Sequence, residues 1–320
     1  METGRKTAEP DRSRSLYAPA MRYFAAVAEA GSIRAAARQL NVASSAVNRQ
    51  ILWLEEALDL ALFERLGRGL RLSPAGEVLL AHVRRTYSDF EGTVAELDAL
   101  KGLRRGTVSV ATVESVADSI LPQIIGSFRK SYPGIHVSVT VTSALQATGM
   151  VERAEADIGF TFDPPRTSAL TTAFAHELVI GAVMTPDHPL ASHAGDLTLA
   201  DCLRYPLALP AKGLSLRTRI DAALSRLPGT IRTYVEANSL SFMRALTRRG
   251  AVVSFQTKIG LEADLAGGLL VFRPLSDAPL QADRLAVVTS SLRALGLAPG
   301  MFYDHAMLAI KEHLPLIDAI

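Results

Sequence analysis

The sequence predicts a multidomain α/β fold in three parts: a small helical module closed by a hairpin, one long helix, and a larger α/β module. Three observations carry this. Residues 21–76 show apolar helical periodicity broken at turn residues and end in a glycine-flanked, arginine-bearing hairpin. From Pro74 onward the apolar residues Leu80, Val83, Tyr87, Phe90, Val94 and Leu97 recur at alternating spacings of three and four, the a/d seam of a long helix. Beyond Thr107, β-rich runs alternate with amphipathic stretches, the pattern of an α/β sheet.

The chain of 320 residues is long enough for two or three domains, and its 48% hydrophobic and 21% charged content is that of a globular protein. The net charge of +2 does not announce a polyanion partner, but its distribution does. Between Arg12 and Ala75 nine arginines face five acids, and no lysine occurs there; arginine is the side chain suited to phosphate and guanine. The single cysteine, Cys202, excludes an internal disulfide and a cysteine-based metal cluster. Residues 1–15 are charged, lack a signal-peptide core and are expected to be disordered. No apolar run reaches the ~18 residues of a membrane span. These features predict a cytoplasmic protein with no membrane partner.

In the N-terminal module the first helix turns Met21, Phe24, Ala25, Val27 and Ala28 to one face and stops at Gly31. Ser32 stands where a cap belongs, and Ile33, Ala36, Ala37 and Leu40 form the inner face of the second helix. Its alanines allow a close crossing with the third helix, as in a helix-turn-helix. Asn41-Val42 makes the turn. The third helix places Val47, Ile51, Leu54 and Leu58 inward and Ser44, Ser45, Asn48 and Arg49 outward near its start. Asparagine and arginine there are readers of adenine and guanine edges. Ala43 cannot cap, so Ser44 is expected to cap a helix that starts late. The candidate DNA contacts are Ser32, Arg34, Ser44, Ser45, Asn48, Arg49, Arg65, Arg68 and Arg71, with Arg68 at the hairpin tip best placed for a phosphate. Arg65 is equally suited to a structural ion pair, and Trp53 reads as packing rather than DNA contact. Ser73-Pro74 signals the next helix start.

This segment resembles the winged helix-turn-helix of LysR-type transcriptional regulators. The resemblance rests on Gly31-Ser32 with the following alanines, Ser44 to Leu58 (SSAVNRQILWLEEAL), Leu62 to Arg65 (LFER) and Arg71 to Gly76 (RLSPAG). Departures from the family pattern fall on the reading helix, at Ala43, Ser44, Asn48, Leu52 and Trp53, so operator preference is expected to differ from that of relatives. The resemblance implies a double-stranded DNA operator, a long linker helix that makes homodimers pairing into homotetramers, and RNA polymerase as a further partner. It assigns Val83, Tyr87, Phe90, Val94 and Leu97 to the dimer seam; packing of the seam on its own chain is the alternative. Residues 101–106 (KGLRRG) read as a hinge.

In the C-terminal module strands are predicted at Thr107–Val113, Ile135–Thr142, Asp157–Phe162 and Leu207–Pro210, in a largely parallel sheet. Ligands of such sheets sit beyond the carboxyl ends of strands. Glu114, Ser115, Thr142, Ser143, Thr161 and Phe162 stand at those ends, as do Asn238 and Ser239 farther on, and Ser215 opens a helix near Lys212. Residues 121–135 (LPQIIGSFRKSYPGI), ADIGF at 156–160 and DHPLAS at 187–192 are similar to the family's effector domain. That resemblance implies two lobes like those of periplasmic solute-binding proteins. Lobe one is then about 107–174 with 281–320, and lobe two about 175–280. The whole layout is 16–73 winged module, 74–105 linker, 106–320 effector domain. Ser115, Thr142, Ser143, Thr161, Ser215, Asn238 and Ser239 are the candidate effector contacts, the carry-over being strongest for Ser115; the implied effector is a carboxylate or amino acid. Serine and threonine at helix starts are equally N-caps. Glu114 points either to an amine-bearing ligand or to solvent. Val252 stands where the family has a glycine, so the turn beside the cleft is expected to be reshaped.

An enzyme is disfavoured: the seven histidines form no metal-spaced pair, and no nucleophile elbow or P-loop occurs. No cofactor and no metal are expected. The sequence therefore predicts a ligand-responsive DNA-binding regulator, with a DNA-binding protein carrying a vestigial, ligand-free sensor as the alternative.

Overall fold

The structure, a computed structural model, describes residues 19–66, 69–100, 105–227, 233–250, 252–280 and 283–319. The expected disorder of residues 1–15, the wing tip with Arg68, hinge residues 101–104 and the second lobe crossing at Gln281 lie outside them. The chain forms two compact units that divide between residues 101 and 102.

The first unit is helical. Helices α1 (Pro19–Ala30), α2 (Ile33–Leu40) and α3 (Ser44–Leu58) lead to an antiparallel hairpin of β1 (Phe63–Leu66) and β2 (Gly69–Leu72), then to α4 (Pro74–Leu100). Gly31 ends α1 at φ +61°, and Asn41 closes α2 in the left-handed region, a conformation glycine and asparagine adopt most readily. The core joins Phe24, Val27, Ala36, Ala37, Val47 and Ile51 to Leu62 and to the start of α4. Phe24 meets Phe63 at 5.4 Å between ring centroids, which anchors the hairpin.

Several local expectations change. Ala43 itself takes the N-cap position of α3 with extended backbone, and Ser44 is the first helical residue rather than the cap. Ser32 sits at the N-cap of α2 but makes no side-chain capping bond. Leu58 is 46% exposed rather than inward, because the last turn of α3 runs past the core formed by Val47, Ile51 and Leu54. Trp53 is 56% exposed and does not pack in the core.

Ser73 caps α4: its Oγ accepts from the Gly76 N–H at 3.0 Å and donates to the Ala61 carbonyl at 2.6 Å. Gly76 is required by space. A Cβ there would lie 2.2 Å from the Leu62 carbonyl oxygen. The apolar seam of α4 has two fates. Leu80, Val83 and Tyr87 are buried in the core of their own unit, so Val83 and Tyr87 do not form a free dimer seam. Phe90 and Val94 are half-buried and Leu97 is 53% exposed.

The second unit has two sheets. It begins with β3 (Gly106–Thr112), α5 (Glu114–Asp118), α6 (Ile120–Ser131), β4 (Ile135–Val141), α7 (Ala144–Glu152), β5 (Ile158–Phe162) and β6 (Leu170–Leu178). It continues with β7 (Gly181–Met184), α8 (Leu199–Cys202), β8 (Leu207–Pro210), α9 (Ser215–Leu224), β9 (Thr233–Ala237), α10 (Leu240–Thr247), β10 (Val253–Gln256), α11 (Glu262–Ala266) and β11 (Val271–Pro274). The chain returns through β12 (Asp283–Ser290) and ends with α12 (Leu297–Ala319). Strand order is β4-β3-β5-β12-β6 in lobe one and β11-β7-β10-β8-β9 in lobe two.

Both sheets are mixed rather than largely parallel. In lobe one β12 runs antiparallel to both β5 and β6, and in lobe two β7 runs antiparallel to β10 and β11. The reason is topological: a strand that returns from the other lobe need not follow a right-handed helical crossover. The first crossing falls after Leu178, where β6 ends, not near Ala175. Lobe one packs Phe128 edge-on against Phe302 of α12, with ring centroids 5.0 Å apart. Lobe two closes over Ile180, Leu207, Leu209, Ile220 and Phe255. The turn before β10 takes its positive φ at Gly250, +70°, while Val252 is buried. Among the described residues no helix is long and apolar enough to cross a membrane.

Candidate nucleic-acid interface and effector cleft

In the first unit the outer face of α3 carries Ser44, Ser45 and Arg49 exposed and Asn48 half-buried, opposite the buried Val47, Ile51 and Leu54. Neither N-cap residue, Ala43 of α3 nor Ser32 of α2, makes a side-chain capping bond; the Ala46 N–H turns back to the Ala43 carbonyl at 3.0 Å, and the helix starts keep the polarity that suits an anion. Arg34 on α2 is exposed and Ser32 is half-buried.

The hairpin is held by bonds from its backbone amides to a side chain and a carbonyl of the helices, which sequence reading did not foresee. Glu55 Oε1 accepts from the Leu62 and Phe63 N–H groups at 2.8 and 3.3 Å, and the Leu70 N–H donates to the Gly31 carbonyl at 2.9 Å. Arg65 is exposed and has no ion-pair partner among the described residues. Arg71 is not free: it pairs across the hairpin with Glu64 at 2.6 Å, the two residues being in register. That bond and the charge of Glu64 raise the Arg71 pKa.

In the second unit a cavity of about 420 Å³ opens between the lobes. Ser115, Thr142 and Ser143 line it from lobe one, and Ser215, Asn238 and Ser239 from lobe two. Thr161 does not: it is fully buried, and its hydroxyl donates to the Ala144 carbonyl at 3.1 Å, bracing the start of α7. Ser143 is a true N-cap, accepting from the Gln146 N–H at 3.4 Å, and Thr142 Oγ1 lies 2.5 Å from Gln146 Oε1. Ser239 caps α10 through the Phe242 N–H at 3.1 Å.

By contrast, the side chains of Ser115, Ser215, Asn238, Gln256 and Thr257 line the same cavity and have no hydrogen-bond partner among the described residues. Gln256 and Thr257 were missed by sequence reading; the signal was a strand end, β10, left without candidates. Among the described residues the lining contains no basic side chain and two acids, Glu114 and Asp283. Asp283 is 3% exposed, and burial first, then the neighbouring Asp163 charge, pushes its carboxyl up to about 7, against the opposing pull of Arg219.

Glu114 is half-buried on the cavity wall, and its carboxylate is engaged by the opposite lobe. Its Oε1 accepts from Ser239 Oγ at 2.8 Å and its Oε2 from the Leu240 N–H at 2.6 Å, both at the start of α10 in the opposite lobe. Arg219 of α9 spans the other side of the cleft, its Nε 3.0 Å from Asp163 Oδ2.

Among the described residues no group of three histidine, cysteine, aspartate or glutamate side chains could hold a metal ion. Cys202 is buried, and burial pushes its thiol up to about 12, far from a reactive thiolate.

The family model of the LysR substrate binding domain matches residues 101–307, and that of the bacterial regulatory helix-turn-helix protein, lysR family, matches residues 19–77. Similar curated relatives include the HTH-type transcriptional regulator CbbR of Rhodospirillum rubrum, 27% identical over 281 residues that cover 88% of this chain and 93% of the relative. The HTH-type transcriptional activator CmpR of Synechocystis sp. is 23% identical, covering 88% and 92%. Among solved structures, a full-length OxyR from Pseudomonas aeruginosa has a TM-score of 0.71 at 21% identity, covering 91% of this chain and 93% of that one. Full-length CbnR complexed with its target DNA has a TM-score of 0.58 at 22% identity, covering 91% and 99%.

Proposed function

We propose that this chain, which belongs to the LysR family of bacterial transcriptional regulators, senses a small polar molecule in the cleft between its two effector-domain lobes. The observation that supports this reading is the set of uncommitted polar side chains on the cavity wall: Ser115, Ser215, Asn238, Gln256 and Thr257. Buried polar groups are ordinarily paired; Ser115, Gln256 and Thr257 are buried, and with the half-buried Ser215 and the exposed Asn238 they form a hydrogen-bonding surface awaiting a partner. The same observation weighs against a vestigial, ligand-free sensor. A lining without a basic side chain among the described residues favours a hydroxyl- or amine-bearing molecule, amino acids included, over a simple carboxylate.

In this reading the operator is read by Asn48 and Arg49 on α3, with Ser44, Ser45, Arg34 and Ser32 on phosphates and the hairpin arginines flanking. Phe90, Val94 and Leu97 meet a second copy of the chain, and dimers of this kind pair into tetramers. The protein acts in the cytoplasm, has no catalytic activity, and reaches RNA polymerase at the promoter. An effector changes the grip on DNA only if it binds two states of the protein unequally.

A thermal-shift screen of amino acids, amines, polyols and carboxylates tests the cleft, because a ligand that binds only the folded state raises the melting temperature. The hit is expected to lose its effect in Ser115→Ala. A confirmed effector that stabilises Ser115→Ala as well as the parent removes Ser115 from the site.

A further inference from the structure

A carboxylate from one lobe already fills a helix N-terminus of the other. α10 has eight residues, Leu240–Thr247, and starts at the cleft wall. Its first amides are the natural place for an anionic group, because unsatisfied N–H groups and the helix dipole both point there. Glu114, on the lobe-one helix α5, occupies that place: Oε2 accepts from the Leu240 N–H at 2.6 Å, and Oε1 accepts from Ser239 Oγ at 2.8 Å and from the Ser241 N–H at 3.4 Å. The far end of α5 grips the same helix. Asp118 pairs with Arg244 at 3.1 Å and accepts from Ser241 Oγ at 2.5 Å. Arg244 is also 3.5 Å from the buried Asp264 and donates to the Gly260 carbonyl, so its position is determined from three sides.

We propose that Glu114 is the resident anion of the α10 N-terminus, a specificity-determining residue that denies this end of the cleft to an effector carboxylate and ties the lobes together while the cavity is empty. The proposal rests on the cleft being the effector site. Charge-assisted bonds to backbone amides are the stronger class of hydrogen bond, and a tethered carboxylate competes at a high effective concentration. An effector carboxylate must displace Glu114 or bind elsewhere, against the uncommitted side chains of Ser115, Ser215 and Asn238.

The test needs no effector. Full-length parent, Glu114→Ala and Glu114→Gln are melted in sodium acetate and in sodium chloride at matched ionic strength, and hydrogen exchange is followed in the segment 239–242. In Glu114→Ala, acetate takes the vacated amides, with apparent affinity on the order of tenfold tighter than for the parent. In Glu114→Gln, which keeps the shape and loses the charge, the Leu240 and Ser241 amides exchange on the order of tenfold faster while the rest of α10 is unchanged. Equal acetate response in parent and Glu114→Ala, or unchanged exchange in Glu114→Gln, overturns the assignment. Either failure leaves the cleft reading standing, whereas a parent cleft that binds no molecule in the thermal-shift screen counts against that reading and leaves the acetate result intact.

Discussion

Arg219 Nε lies 3.4 Å from the buried carboxylate of Asp283, and the same guanidinium also pairs with Asp163. Arg219 therefore serves two acids, with Arg284 Nε also 3.9 Å from Asp163, and burial first, then the Asp163 charge, pushes the carboxyl of the more buried acid up to about 7. In the unfolded chain an aspartate titrates near ~3.9. Between about pH 4 and pH 7 the folded state thus keeps a proton that the unfolded state has lost. Stability should fall as pH rises across this window and level off above it. Asp283→Asn should flatten that slope. Thermal unfolding from pH 4.5 to 8 checks this, and an unchanged slope in the variant rejects the raised pKa.

Gly76 should not tolerate alanine. The added Cβ would stand 2.2 Å from the Leu62 carbonyl oxygen, and backbone must move to relieve it. Overpacking of this kind costs roughly 1–3 kcal/mol. Denaturant unfolding of Gly76→Ala should show a lowered midpoint, with the hairpin the first region to lose exchange protection.

The reading helix and the hairpin should respond differently. Asn48→Ala is expected to relax preference at one base position, a discrimination of about 1–3 kcal/mol, with little loss on unrelated DNA. Arg49→Ala should weaken operator binding strongly. Arg71→Ala should change the salt dependence less than a free phosphate contact does, because Glu64 already pairs with it at 2.6 Å. Glu64→Gln should release Arg71 and strengthen binding to any sequence, steepening the salt slope by about one. A binding series over salt concentration measures all four.

The seam on α4 should divide at Tyr87. Leu97→Glu, on the exposed part, is expected to dissociate the assembly in sedimentation while leaving cooperative unfolding intact. Val83→Asp, in the core of the first unit, should instead unfold that unit. Dissociation by neither Leu97→Glu nor Val94→Asp places the interface elsewhere.

Much of this was legible because short-range rules govern it. The strand at Leu207–Pro210, the Ser73-Pro74 start and the Gly31 stop follow from local propensity and turn chemistry. What failed depends on distant chain. A periodic seam shows where apolar residues point but not what covers them, so Val83 and Tyr87 read like Leu97 until the helical core was placed against them. Thr161 and Ser115 both stand near strand ends, and only the lateral position of α7 decides that one braces a helix and the other opens to the cavity. Glu114 read as either an amine contact or a solvent-facing acid because its partners, Ser239 and Leu240, lie more than a hundred residues away.

The central claim is that a molecule in the cleft controls the grip on DNA. The direct measurement is operator affinity at fixed salt, with and without a saturating amount of the effector found by thermal shift, for the parent and Ser115→Ala. The account predicts a change in the parent's Kd of about 5- to 150-fold, the usual span of allosteric coupling, and a much smaller change in Ser115→Ala at the same effector concentration. An operator Kd that stays the same in the parent when the cleft is demonstrably occupied contradicts it.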